Sequence, residues 1–191
     1  MFDRPMQYLI LIAAIVILPS LSRADEPSDI QPGDSFTADR WAVSLMASGT
    51  VDVTNRDVAM LGPALGLSYD LTENFSVVAE LGGLHVWQDD DTNAVAGNLL
   101  LRQYLFEAGP SRVFAEFGGG IFRAGERVPE EGTHFNTSIQ VGIGMLYPIA
   151  NDIALVGGIR YYHLSNARRR GGDRNPSLNG PAVYFGVQFS F

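Results

Sequence analysis

The chain has 191 residues and a formal charge of −8, and all 13 of its basic residues are Arg. That acidic balance excludes nucleic acid as a partner, because neutralising phosphates takes a basic surface. The absence of Cys excludes a disulfide framework and any thiolate-bound metal.

The first segment sets the expected compartment. Arg4 is followed by the apolar run Leu9 to Leu18, Pro19 breaks it, and Ser22-Arg23-Ala24 precedes Asp25. A charged start, an apolar middle and small residues before a cut site make a secretory signal peptide over residues 1–24. A spanning helix needs about 20 apolar residues, roughly twice this run. Residues 25–191 then form one mature domain, with the polar stretch 25–38 as a periplasmic lead-in.

From Arg40 onward the apolar residues recur every second position, which is the strand period. Over 61–69, Leu61, Pro63, Leu65, Leu67 and Tyr69 oppose Gly62, Ala64, Gly66 and Ser68. Over 135–147, Phe135, Thr137, Ile139, Val141, Ile143, Met145 and Tyr147 oppose Asn136, Ser138, Gln140, Gly142 and Gly144. At the end, Val183, Phe185, Val187, Phe189 and Phe191 oppose Ala182, Tyr184, Gly186, Gln188 and Ser190. The second face is too small for a sandwich exterior and suits a narrow lumen, with the apolar face toward lipid. A sheet in a bilayer has to close to satisfy its backbone. The expected fold is all-β: an eight-stranded antiparallel outer-membrane β-barrel, with Phe191 ending a terminal strand of the kind such barrels carry.

The strands are expected near 41–50, 58–70, 75–87, 94–106, 112–123, 134–147, 153–166 and 179–191. Short turns at 72–74, 107–111 and 148–152 alternate with longer polar loops at 51–57, 88–93, 124–133 and 167–178. Short turns inside and longer loops outside is the outer-membrane arrangement. Trp41, Tyr69, Trp87, Tyr104 and Tyr147 fall near strand ends, where aromatic belts lie.

A barrel this small is filled by its own side chains, so function is expected at loops, rim or outer wall. The outward row of the seventh strand reads Ile153, Leu155, Gly157, Ile159, Tyr161, His163, Ser165. Two polar residues thus end a lipid-facing row beside a long loop. Residues two apart on one strand face are close enough for an imidazole to reach a hydroxyl. Such a pair is the minimum for an activated oxygen nucleophile, although polar residues at an interfacial strand end also occur without any role. Glu80, Arg102, Glu116 and Arg160 fall on lumen positions and are expected to pair with one another. His85 and His134 lack ligand-like spacing, so neither metal nor cofactor is expected.

The segment Arg160–Ala167 (RYYHLSNA), followed by Arg174-Asn175-Pro176 and Asn179, resembles the signature of the lipid A 3-O-deacylase (acyloxyacyl hydrolase) family. Weaker echoes lie at Glu116–Gly120 and along Asn136 to Gly144. The resemblance implies an eight-stranded barrel in the cell outer membrane that removes an ester-linked acyl chain from lipopolysaccharide. It implies Ser165 as nucleophile, His163 as general base, and Asn166 in the oxyanion hole with Asn175 supporting it. The chain departs at Asn179, where family enzymes carry a Glu four residues after the Asn matching Asn175. An amide can orient an imidazole but cannot stabilise an imidazolium as a carboxylate does, so the resemblance points to a weak enzyme or to support from another acid such as Asp173. Arg168, Arg169, Arg170 and Arg174 fit recognition of lipid A phosphates, and equally fit a solvated loop charge run. A non-catalytic barrel with a structural or envelope-sensing role is the alternative, and a homodimer is compatible with the pattern.

Overall fold

The computed structural model describes residues 38–54, 58–168 and 175–191. The expected leader at 1–24 and nearly all of the lead-in lie outside them. The eight strands are β1 (Trp41–Val51), β2 (Ala59–Thr72), β3 (Phe75–Trp87), β4 (Thr92–Ala108), β5 (Ser111–Val128), β6 (Thr133–Ala150), β7 (Ile153–Ser165) and β8 (Leu178–Ser190). Each pairs antiparallel with its chain neighbours, and β1 pairs with β8 to close the barrel. Among the described residues no helix is long and apolar enough to cross a membrane.

Period two sorts the side chains as the sequence requires. Leu45, Leu81, Leu99, Phe117, Ile143 and Ile159 face outward and are 49–62% exposed. An apolar wall of this extent is foreign to a water-soluble monomer and suited to lipid. Inside, a cluster near the short turns includes Met46, Tyr104, Phe114, Leu146 and Tyr184. A second, toward the long loops, includes Met60, Val86, Phe122, Tyr162, Leu164 and Leu178.

A charged layer joins the lumen walls. The Arg160 guanidinium donates to Glu80 at 2.7 and 2.8 Å and to Glu116 at 2.6 Å. Glu116 also accepts from Arg102 at 3.3 Å and from the Tyr184 hydroxyl at 2.6 Å. Two cations thus meet two anions, which is the condition for taking charges out of water. Gly158 makes room for the layer, since a Cβ there would sit 2.6 Å from the Tyr184 hydroxyl oxygen. The remaining lumen cavity beside Glu80, Asn98, Gln140 and Arg160 is about 50 Å³. That volume has room for a few waters.

Three expectations need correction. Tyr104 does not join an aromatic belt: it is 7% exposed and packs in the lumen against Phe114, with the Arg112 guanidinium 4.0 Å above its ring. It shares the inward parity of Arg102, and the register shift between Tyr104 and Phe106 then turns Phe106 outward beside Leu105. The loop expected at 124–133 is mostly strand, because β5 runs to Val128 and β6 begins at Thr133. β4 likewise starts at Thr92, shortening the loop expected at 88–93. Side chains stitch this extension together: Gln88 donates to the Arg127 carbonyl at 2.8 Å, and the Glu126 N–H donates to Thr92 Oγ1 at 2.9 Å.

Candidate active site

β7 carries the site because alternation splits its last turns between two environments. Tyr162 and Leu164 point into the lumen cluster, while Tyr161, His163 and Ser165 lie on the opposite face. On one side His163 is directly opposite Asn179 of β8, and on the other Ser165 is opposite Thr137 of β6. Leu164 and Leu178 are fully buried behind these residues. The polar groups therefore sit on rigid, core-packed strands, which holds them more closely than loops would.

His163 bridges its two neighbours. Nδ1 is 2.7 Å from Asn179 Oδ1, and Nε2 is 3.1 Å from Ser165 Oγ. An amide oxygen only accepts, so the neutral imidazole carries its proton on Nδ1. Nε2 is then left with a lone pair toward the Ser165 hydroxyl. A hydroxyl, an imidazole and an acceptor in that order can activate an oxygen nucleophile without metal.

The next turn is tied down as well. Asn166 is 3% exposed, and its backbone N–H donates to Asn175 Oδ1 at 3.0 Å. Thr137 Oγ1 donates to the Ser165 carbonyl at 3.1 Å. Ala167 and Arg168 follow with left-handed φ values of 53° and 58°. Each such residue costs about 1–2 kcal/mol, and strain of this kind clusters at functional sites.

Sequence reasoning missed four residues here. The Tyr161 hydroxyl donates to Asn179 Oδ1 at 2.8 Å, and Asn179 Nδ2 donates to Ser177 Oγ at 3.0 Å. The Asn179 backbone N–H donates to Asp52 Oδ1 at 3.1 Å, and the same oxygen accepts from the Thr54 N–H at 3.0 Å and hydroxyl at 2.6 Å. Tyr161 was legible, being two residues before His163 in the same outward row. Ser177 had only its nearness to Asn179, and Asp52 and Thr54 had no signal, since barrel closure alone brings them here.

The other expected site residues divide. Arg168 is exposed beside the site, whereas Arg169, Arg170, Arg174 and Asp173 lie outside the described residues. Among the described residues no group of three or more side chains is arranged to hold a metal. His85 instead sits 3.0 Å from Asn93 Oδ1 and edge-on to Trp87.

Three solved structures share the architecture. The outer membrane protein OprG from Pseudomonas aeruginosa aligns at TM-score 0.58 and 10% identity, covering 83% of this chain and 98% of its own. Neisserial surface protein A aligns at 0.55 and 12%, covering 79% and 95%. Ail, the attachment invasion locus protein of Yersinia pestis, aligns at 0.51 and 11%, covering 81% and 100%. At these identities the likeness is one of fold. No curated protein sequence matches the chain. Neither the fold neighbours nor the family match supports a homodimer. The model of the lipid A 3-O-deacylase (PagL) family matches residues 50–188, a span that runs from the end of β1 to the end of β8 and includes the whole His163–Ser165–Asn179 arrangement. The chain belongs to the lipid A 3-O-deacylase family and is an eight-stranded barrel of the outer membrane.

Proposed function

We propose that this chain hydrolyses an acyl ester of lipid A in the outer leaflet, with Ser165 as nucleophile and His163 as general base. The observation that carries the reading is the hydrogen-bonded row Ser165–His163–Asn179 on the outer wall at the long-loop end of β7. That is the height at which the ester-linked acyl chains of lipopolysaccharide meet the protein. Residues 1–24 are, in this reading, the export signal that delivers the barrel there.

In this reading the steps are these. The Ser165 hydroxyl gives its proton to His163 Nε2 as Oγ attacks the ester carbonyl carbon. Asn179 Oδ1 receives the Nδ1–H of the resulting imidazolium. Asn166 contributes to the oxyanion hole through its side-chain amide, because its N–H is held by Asn175. The tetrahedral intermediate collapses, the sugar oxygen leaves with the proton returned by His163, and an acyl-Ser165 ester remains. Water, deprotonated by His163, then hydrolyses that ester and releases the fatty acid. No cofactor or metal enters these steps. Arg168, Arg169, Arg170 and Arg174 bind the phosphates of the head group.

Mass spectrometry of lipid A from cells expressing the wild type and the Ser165→Ala variant tests the proposal. Loss of one hydroxyacyl mass with the wild type alone is expected. Unchanged lipid A in both, with the barrel folded in the outer membrane, would sink it and leave a structural or envelope-sensing barrel.

A further inference from the structure

The family's carboxylate is missing from position 179, yet a carboxylate stands next to that residue. We infer that Asp52 supplies the negative charge of this site, acting across Asn179 as a positioning residue, so that the amide and the acid together do part of what one Glu does in the family enzymes. The inference rests on the proposed nucleophile and base, and it adds a residue that neither the motif nor its spacing contains.

Four observations carry it. Asp52 Oδ1 accepts the backbone N–H of Asn179 at 3.1 Å, and the Val53 N–H donates to the Asn179 carbonyl at 2.9 Å. Both backbone groups of Asn179 are therefore held by the segment that leaves β1. Next, Thr54 donates to the same Asp52 oxygen through its N–H and its hydroxyl, at 3.0 and 2.6 Å. Three donors on one oxygen keep the carboxylate in place. The other oxygen, Oδ2, is buried and has no hydrogen-bond partner among the described residues. A buried anionic oxygen with no partner is an arrangement that folding alone disfavours and that a nearby developing cation would stabilise. Finally, Gly180 follows Asn179, and a Cβ there would collide with the Val51 carbonyl. Only glycine lets the end of β1 come close enough for Asp52 to reach Asn179.

Only one proton moves, and the Asp52 charge acts through space. Ser165 Oγ–H gives its proton to His163 Nε2. The imidazolium Nδ1–H donates more strongly to Asn179 Oδ1, while the Asn179 backbone N–H holds the Asp52 carboxylate nearby. Among the described residues, the nearest charged group beside His163 on β8 and the adjoining end of β1 is Asp52, while β6 presents Thr137 and Ile139, which carry no charge. Asp52 lies within roughly two strand spacings of His163, ~10 Å. A unit charge at that distance and an effective dielectric constant of about 20 stabilises the positive charge that develops on the base during attack by an amount worth about tenfold in rate.

The test uses the full-length barrel in detergent micelles and two readouts. One is release of hydroxy fatty acid from lipid A, and the other is the rate at which a fluorophosphonate labels Ser165, which needs the nucleophile but not the lipid. Asp52→Asn keeps the acceptor oxygen for Asn179 and Thr54 and removes only the charge. It is expected to lower both the kcat for lipid A and the labelling rate about tenfold, with KM and heat-modified gel mobility unchanged. In an Asn179→Glu background the same substitution is expected to cost little, because position 179 then carries its own charge. A purely structural Asp52 would cost the same in both backgrounds, and that result overturns the inference. Equal labelling rates for wild type and Asp52→Asn overturn it too. Labelling of wild-type Ser165 without lipid A hydrolysis refutes the substrate while leaving the Asp52 comparison decisive. Absence of labelling in the wild type refutes nucleophile and Asp52 role together.

Discussion

Replacing Asn179 by Asp exchanges one amide nitrogen for oxygen and leaves the side chain's size unchanged, so it isolates charge at the site. The atom facing His163 Nδ1 at 2.7 Å stays an oxygen acceptor, and the tautomer is unaltered. In a serine-protease triad the acid-to-amide change lowers turnover about 10⁴-fold, but part of that loss comes from a wrong tautomer. That part is absent here, because Asn179 already presents Oδ1. The remainder is electrostatic. A carboxylate about 4 Å from an imidazolium is worth about 4 kcal/mol at an effective dielectric constant of 20, or roughly a thousandfold. Two factors reduce it: Asn179 is only half-buried, and the Asp52 carboxylate already faces its backbone N–H. Solvent screening and repulsion between like charges bring the expected gain in kcat to about 10- to 100-fold, with KM unchanged. The assay is fatty-acid release from purified lipid A by micelle-embedded barrel, with Ser165→Ala as the zero. A folded Asn179→Asp barrel whose kcat equals or falls below that of the wild type would refute the assignment of 179 as the partner of the base.

Two further expectations follow from other parts of the molecule. Glu116→Gln removes the carboxylate that accepts from Arg102, Arg160 and Tyr184, and leaves Arg102, 2% exposed, without a counter-ion. Breaking a buried pair in this way costs about 3–5 kcal/mol, measurable by equilibrium urea unfolding in lipid vesicles, and a loss under about 1 kcal/mol would show that the lumen network does not stabilise the barrel. Changing Arg168, Arg169, Arg170 and Arg174 to Gln is expected to weaken binding of lipopolysaccharide, most at low salt, and to leave unfolding unchanged. Equal retention of lipopolysaccharide by the variant and wild type would reduce the run to solvated loop charge.

Much of this barrel was legible in a single sequence because a strand's side chains alternate with a period of two, and lipid imposes one chemistry on a whole face. The rows ending in Phe191, Tyr147 and Tyr69 identified the wall, and strand number followed from the turns between them. The same parity placed His163 and Ser165 outward together, and put Glu80, Arg102, Glu116 and Arg160 in the lumen. Errors arose where the pattern loses contrast. Tyr104 was assigned by nearness to a strand end, although its parity with Arg102 sends it inward. Loop 124–133 reads as polar whether or not it is paired, because strands that rise past the membrane no longer need an apolar face.

What only the tertiary structure decided is which residues meet across strands, since that depends on register and closure and not on spacing along the chain. Register sets His163 opposite Asn179 and Ser165 opposite Thr137. Closure between β1 and β8 brings Asp52, 127 positions away in sequence, to the backbone of Asn179. Local alternation is a property of each strand, so one sequence carries it. The approach of β1 to β8 is a property of the closed ring, which exists only once all eight strands have paired.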